Sequence, residues 1–239
     1  WTQYFNVNSG GIEGDMQVGR YPSSLGNSDY PFSFWNEYTG DGNPSYGGRP
    51  YYSSDEFGWD GGSFSNPANV DLLWHANKDL WAGSPALTVD GGMSMFNIVY
   101  ADWTRSDVYL FHSELYEDGF IIFGEEIKVI DETEYLVGGD DEGSYTSSPV
   151  LDVNPDGIGY TAVTAYWSGA DVGAGTYGNT HTPIFAKTTD HGATWSGGTG
   201  DAPYYFIPDD VYDHMISSGE FPSYWEDPDA CATPPESYT

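Results

Sequence analysis

The sequence predicts an all-β fold built from repeated four-stranded antiparallel units of about 64 residues. Three observations carry that expectation. Short strand patterns return at a near-constant interval: Ser84-Pro85-Ala86-Leu87-Thr88-Val89-Asp90-Gly91 is echoed by Ser148-Pro149-Val150-Leu151-Asp152-Val153, which runs on through Asn154-Pro155 to Asp156-Gly157. Each pattern closes on an Asp-Gly pair, the residues that a tight turn demands. The composition fits: 31 Gly, 15 Pro, 20 Tyr and 9 Trp in 239 residues suit strands and turns and do not suit helices.

The elements follow in order. A first strand is expected at Arg20–Leu25, leading through Gly26-Asn27-Ser28-Asp29 to a second at Tyr30–Trp35. Its counterparts are Ser84–Val89 then Met95–Trp103, and Ser148–Val153 then Tyr160–Trp167. Third strands read Arg49–Asp55, Asp107–Ser113 and Thr182–Thr188. A fourth in the middle unit falls at Phe120–Phe123 or at Ile127–Ile130. The prolines Pro22, Pro85 and Pro149 stand 63 and 64 residues apart. Three to four antiparallel strands per repeat, joined by Gly, Asp and Pro turns, are the pattern of a β-propeller blade. The expected organisation is an N-terminal strand or closing segment over 1–19, blades over 20–83 (with an insertion), 84–147 and 148–205, and an irregular Pro/Asp-rich segment over 206–239. Helix is expected at most as a short turn over Asp209–Ile216. Complete propellers have more blades than three, so these are expected to form part of a larger one.

Charge narrows the function. There are 37 acidic side chains against 6 basic ones, a net charge of −31. Few cations are available for phosphates, which argues against a nucleic-acid partner. No segment approaches the roughly 18 apolar residues of a membrane span. Self-repulsion on this scale is relieved by salt or divalent ions, as in a saline or calcium-containing exterior. The lone Cys231 makes no intrachain disulfide. The sequence opens on Trp1 with no charged-then-apolar leader, so a processed or partial chain is expected.

The most specific motif is Thr188-Thr189-Asp190-His191-Gly192-Ala193-Thr194-Trp195. It fits Ser/Thr-x-Asp-x-Gly-x-Thr-Trp, with Thr188, Asp190, Gly192, Thr194 and Trp195 at the defined positions. Asp is expected to cap backbone N–H groups, Gly to supply a positive φ, and Trp to pack beneath the loop. Unit one keeps only Ser54-Asp55 and, after the insertion, Gly62-Ser63-Phe64; unit two keeps Ser113-Glu114 and Asp118-Gly119-Phe120. Thr88–Met95 matches in part but falls between first and second strands, and reads as an ordinary hairpin turn. Over roughly residues 19–205 the chain thus resembles the sialidase-like Asp-box (BNR) propeller superfamily. Asn36–Gly40 and Tyr46–Tyr52 resemble, in texture, large secreted proteins of Bacteroidetes-type bacteria that often carry a C-terminal sorting module.

The resemblance implies a sialidase-type glycoside hydrolase, with three arginines on a substrate carboxylate, a Tyr nucleophile activated by Glu, and an Asp acid. The chain has three arginines, and Arg20-Tyr21-Pro22 looks like the Arg-Ile-Pro signature of that family. The alternative is that Arg20 merely precedes the proline that begins each unit. Arg49 immediately precedes an outer strand and Arg105 sits in a turn, so neither matches the family's inner-strand arginines. No catalytic residue is assigned. His75, His112, His181, His191 and His214 show no metal-ligand spacing and read as solvated positions. Asp41-Gly42-Asn43, Asp140-Asp141-Glu142 and Asp152–Asp156 offer oxygens to calcium, the one cofactor considered, or are solvated turns. Trp35, Trp103 and Trp167 recur at one position, as core does, whereas Trp59, Trp74 and Trp81 in a non-repeating insertion, with Arg20, are the candidate ligand-binding residues. The expected function is that of a secreted, non-enzymatic acidic module for adhesion, binding or assembly at the cell surface, its partner a glycan, a surface protein or further copies of itself. A sialidase-type hydrolase and a subunit of an extracellular filament or sheath are the alternatives.

Overall fold

The computed structural model describes residues 20–38, 48–71, 80–102, 107–130, 147–166, 181–196, 205–206 and 209–219. The chain divides into two compact units, Trp1–Tyr205 and Phe206–Thr239. The first is all-β and consists of three successive antiparallel sheets, each an up-and-down meander as in propeller blades. Sheet 1 holds β1 (Arg20–Gly26), β2 (Pro31–Tyr38), β3 (Gly48–Ser54) and β4 (Ala68–Asn69). Sheet 2 holds β5 (Leu80–Asp90), β6 (Met93–Asp102), β7 (Val108–Glu117), β8 (Phe120–Phe123) and β9 (Ile127–Ile130). Sheet 3 holds β10 (Ser147–Val153), β11 (Gly159–Tyr166), β12 (His181–Thr188) and β13 (Tyr205–Phe206).

The repeat seen in the sequence is written into the strand registers. Pairing advances three residues on the first strand for two on the second in every sheet: Arg20 to Ser23 against Asn36 to Phe34, Ala82 to Pro85 against Tyr100 to Ile98, and Ser147 to Val150 against Thr164 to Ala162. The prolines Pro22, Pro85 and Pro149 fall inside or at the end of those bulges, where a residue without an N–H costs no ladder bond. The partners on the second strands, at 36, 100 and 164, keep an interval of 64.

Both alternatives for the fourth strand of the middle unit are present. Strand β7 is 10 residues long, and two four-residue strands share its edge: β9 pairs with Val108–Leu110 and β8 with Ser113–Glu117. A hydrogen bond from Gly124 N–H to the His112 carbonyl, 2.9 Å, fills the junction.

The centre of sheet 2 is buried on both faces, and Phe96–Asp102 of β6 are seven consecutive buried residues. Phe96, Ile98, Tyr100, Tyr109, Phe111, Ile121 and Phe123 meet Phe32, Phe34, Tyr52 and Val70 of sheet 1 in one cluster. Phe32 meets Phe96 edge-on at 4.7 Å and Tyr52 meets Phe123 at 5.8 Å, contacts worth about 0.5–1.5 kcal/mol each beyond area burial. The Tyr52 hydroxyl donates to the Ile121 carbonyl (2.9 Å) and accepts from the Ile121 N–H (3.0 Å), tying β3 to β8. On the other side β10 packs on β5 and β6. Leu151, Val153, Thr161, Val163, Ile184 and Ala186 make the buried face of sheet 3, while Val150 and Tyr160 alternate outward and are exposed. Trp35 is buried and stacks on Tyr51, as a core residue does; Trp103 and Trp167 lie outside the described residues.

The second unit carries α1 (Asp209–Ser218), a full 10-residue helix where the sequence suggested at most a turn inside an irregular segment. Gly219 ends it at φ 75°. The segment expected over 1–19 lies outside the described residues.

Replacing Tyr52 with Phe strands the buried Ile121 N–H, so Tyr52→Phe is expected to lower unfolding free energy by about 1–3 kcal/mol in urea titrations.

Candidate functional site

The meander sorts side chains to two ends of the sheets. One end carries the hairpin turns 27–30, 91–92, 118–119 and 154–158, with the longer loops after β3 and β12. The other carries the starts of β1, β3, β5 and β7.

The loop after β12 is organised by Asp190. Its carboxylate accepts the Thr194 N–H (2.9 Å), the Thr194 hydroxyl and the Thr188 hydroxyl (2.8 Å). Thr188 Oγ1 in turn accepts the Gly192 N–H at 3.0 Å, and the half-buried Trp195 donates from Nε1 to the Gly192 carbonyl at 2.9 Å. Lys187 and Ser196 close the loop with two 2.8 Å backbone bonds. Burial works against ionisation of Asp190, but the bonds from Thr194 and Thr188 outweigh it and hold the carboxyl below its ordinary range.

This loop reaches sheet 2 through His191, a residue the sequence reading had left solvated. His191 sits at φ 60°; its N–H donates to the Gly157 carbonyl, and its carbonyl accepts the Asn97 side-chain N–H at 2.8 Å. Its Nδ1 lies 3.0 Å from Thr88 Oγ1 and its Nε2 3.9 Å from Asp90. Asn97 is fully buried, and its oxygen lies 2.9 Å from His112 Nδ1 on the paired strand. His112 is therefore also built into the sheet 2–sheet 3 contact, not solvated. Its pKa is lowered, first by burial and further by His191, with Asp190 and Glu114 opposing. Gly192, at φ 100°, approaches so closely that a Cβ there would lie 1.9 Å from Asn97 Oδ1.

The loop after β3 solves the same problem with different residues. Asp55 is buried, and its two oxygens accept the Phe57 N–H (2.9 Å) and the Ser63 N–H (3.0 Å), while an Asp55–Phe64 bridge closes the loop. The registers set Pro50 and Pro183 opposite Asn36 and Thr164, which puts Asp55 at the position of Thr188, and its bond from the Phe57 N–H matches that of Thr188 Oγ1 from the Asp190 N–H. In sheet 2 the same register position is Glu114, no described carboxylate gathers a loop there, and the strand continues to a turn at Asp118-Gly119, both with positive φ. The Gly91-Gly92 pair forms a two-residue hairpin turn as expected.

The Asp55 loop holds up the most exposed aromatic surface of the described residues. Trp59, in a single 3₁₀ turn over Gly58–Asp60, is 60% exposed, and Phe57 is 72% exposed. The Trp59 indole N–H donates to the Asn27 carbonyl at 2.9 Å and its ring lies against Gly26, where a Cβ would come within 2.5 Å of it. The ring is therefore held in place while exposed. Around it an open pocket of about 440 Å³ is lined by Ser28, Asp29, Tyr30, Phe57, Asp60, Tyr116 and Asp118 among others. Ser28, Asp29 and Tyr116 also line a neighbouring cleft of about 910 Å³ that includes Leu87, Val89, Gly91, Gly92 and Met93. Among the described residues no Lys, Arg or His lines either.

The remaining candidates separate from this surface. Trp81 stands in β5 opposite Ala101 and is half-buried, so it belongs to a strand and not to an insertion. Arg20 opens β1 opposite Asn36, its side chain falling outside the description, and Trp74 and Arg105 also lie outside the described residues. Arg49 does not precede the outer strand but is the second residue of β3, fully buried, with Nη1 on the Gly48 carbonyl at 3.0 Å. Asp71, Asp102 and Asp107 are buried toward the same end; Asp107 pairs with Lys128 at 3.2 Å and accepts the Tyr109 hydroxyl. In Asp152–Asp156, Asn154 serves the backbone, accepting the Asp156 and Ile158 N–H groups. The described residues hold no group of three or more metal-ligating side chains, and Asp41–Asn43 and Asp140–Glu142 lie outside them.

No protein-family model and no curated protein matches the chain. Among solved structures, the chain is similar to a Hadza microbial sialidase (15% identity, 75% of this chain and 37% of that one, TM-score 0.44). It is similar also to an endo-arabinase of Bacteroides thetaiotaomicron (12%, 78% and 60%, 0.46) and to a mutant Trypanosoma rangeli sialidase displaying trans-sialidase activity (12%, 74% and 30%, 0.44). The chain spans less than two thirds of each.

Two outcomes are expected at the His191 contact. Gly192→Ala should destabilise by about 2–3 kcal/mol, through strain at a positive φ and collision with Asn97, read from urea midpoints. The folded protein disfavours protonated His112, so that contribution is complete above the unfolded-state pKa near 6.5 and is lost as pH falls through the lower folded value. Asp190, also depressed, extends the loss below its ordinary 3.8. Midpoints measured from pH 8 to 5 should fall in the native protein and flatten in His112→Asn, which retains an N–H donor for Asn97.

Proposed function

We propose that the chain is a non-enzymatic extracellular binding module that holds glycans on the Trp59 surface. The observation that carries the reading is an indole fixed by its own N–H and by Gly26 yet left 60% exposed. Exposed aromatic rings grouped as Phe57 and Trp59 are mark a surface that another molecule can cover, and the flat face of a sugar ring suits the indole. Ser28, Asp29, Asp60 and Asp118 around it supply acceptors for sugar hydroxyls. The net charge of −31 disfavours anionic sugars, which weighs against a sialoside as the ligand. The likeness of the Asp190 loop to the Asp-box gives a framework role to Thr188, Asp190, Gly192, Thr194 and Trp195, whose polar groups bond to one another or to the backbone. Secretion fits a coat this acidic, and calcium and self-association remain part of the same proposal.

A sialidase-type hydrolase is the second reading. It is favoured by the burial of Arg49 with Asp71, Asp102 and Asp107 toward the end of the sheets away from Trp59. Turnover of a fluorogenic sialoside that is lost in Arg49→Lys, in protein that remains folded, would replace the binding reading.

On a glycan array, the protein is expected to retain uncharged or cationic glycans. Trp59→Ala should weaken that retention tenfold or more while shifting unfolding free energy by no more than about 1 kcal/mol. Retention unchanged by Trp59→Ala would remove the surface from the proposal.

A further inference from the structure

We infer that the pocket beside Trp59 binds the protonated amine of an amino sugar within a longer saccharide. The inference rests on the glycan reading above and specifies its ligand. Four aromatic residues, Tyr30, Phe57, Trp59 and Tyr116, line a pocket of about 440 Å³ together with the carboxylates of Asp29, Asp60 and Asp118. Aromatic faces and carboxylates both attract a cation, the first through the ring quadrupole and the second directly. Among the described residues no basic side chain lines the pocket beside those three acids. Asp29 is held in place: its N–H donates to Asn27 Oδ1 (2.9 Å) and its carboxylate accepts the Ser28 hydroxyl (3.1 Å). The Asn27 side chain in turn donates to the Tyr116 hydroxyl at 2.9 Å, which fixes that ring at the junction with the larger cleft.

A sugar is favoured over a lysine side chain by shape. Trp59 offers one broad face, backed by Gly26, which suits a pyranose ring better than a narrow alkyl stem. The pocket continues past Ser28, Asp29 and Tyr116 into a cleft of about 910 Å³ floored by Gly91 and Gly92, leaving room for neighbouring sugar units.

The test is calorimetric titration of the full chain at about pH 6, below the ordinary range of such amines. The probes are a glucosamine tetramer, its fully N-acetylated counterpart and tetralysine. The glucosamine tetramer is expected to bind at least tenfold more tightly than the acetylated form. That preference should shrink severalfold between about 0.05 and 0.5 M salt. It should also collapse in an Asp60→Asn/Asp118→Asn double variant; both sites are exposed, and Asn tolerates the positive φ of residue 118. Equal binding of both tetramers overturns the amine inference and leaves the glycan reading standing. Tetralysine binding as tightly as the glucosamine tetramer overturns the choice of a sugar. Binding of neither tetramer by the folded protein overturns both.

Discussion

Everything else in the sheet unit depends on the burial of one sheet between two others. Sheet 2 has no solvent face along the centre of β6, so its strand alternates between two interiors. Phe96, Ile98 and Tyr100 complete an aromatic core with sheet 1, while Asn97 points into the contact with sheet 3. An amide at that depth is tolerated because His191 and His112 use both its ends. The price of that arrangement is a contact that depends on pH, because burial disfavours the protonated form of His112.

The architecture was largely legible in the sequence. Strand order, the hairpin at Gly91-Gly92 and the proline-marked repeat were read from local chemistry, since turns and bulges are dictated by a few residues. What failed was non-local. His191 and His112 looked solvated because their partners, Thr88 and Asn97, are supplied by distant strands through tertiary packing. The two candidate fourth strands were treated as rivals, whereas one long neighbour accommodates both. Trp59 lies exposed in the loop after β3, whereas Trp81, grouped with it in the sequence as part of an insertion, pairs opposite Ala101 in a strand.

The two ends of the sheets have different chemistry. At the hairpin end, buried Asp55 and the bonded Asp190 act as backbone organisers, and they leave Asp29, Asp60 and Asp118 facing water beside aromatic rings. At the opposite end the carboxylates of Asp71, Asp102 and Asp107 are buried, one of them with Lys128. Net charge therefore says less than placement: an acid that gathers N–H groups has little left to offer a ligand, and one that does not is free to meet it.

The rim of the fold has a consequence for how the protein meets its neighbours. Each sheet finishes in very short strands: two residues in β4, two in β13, and four each in β8 and β9. A stranger's backbone adding itself to such an edge finds few consecutive hydrogen-bonding groups, so the rim is a poor template for polymerisation. Among the described strands the longer sheet edges are those of β1, β5 and β10, with 7, 11 and 7 residues, so an added strand would find more backbone to pair with there than at the rim.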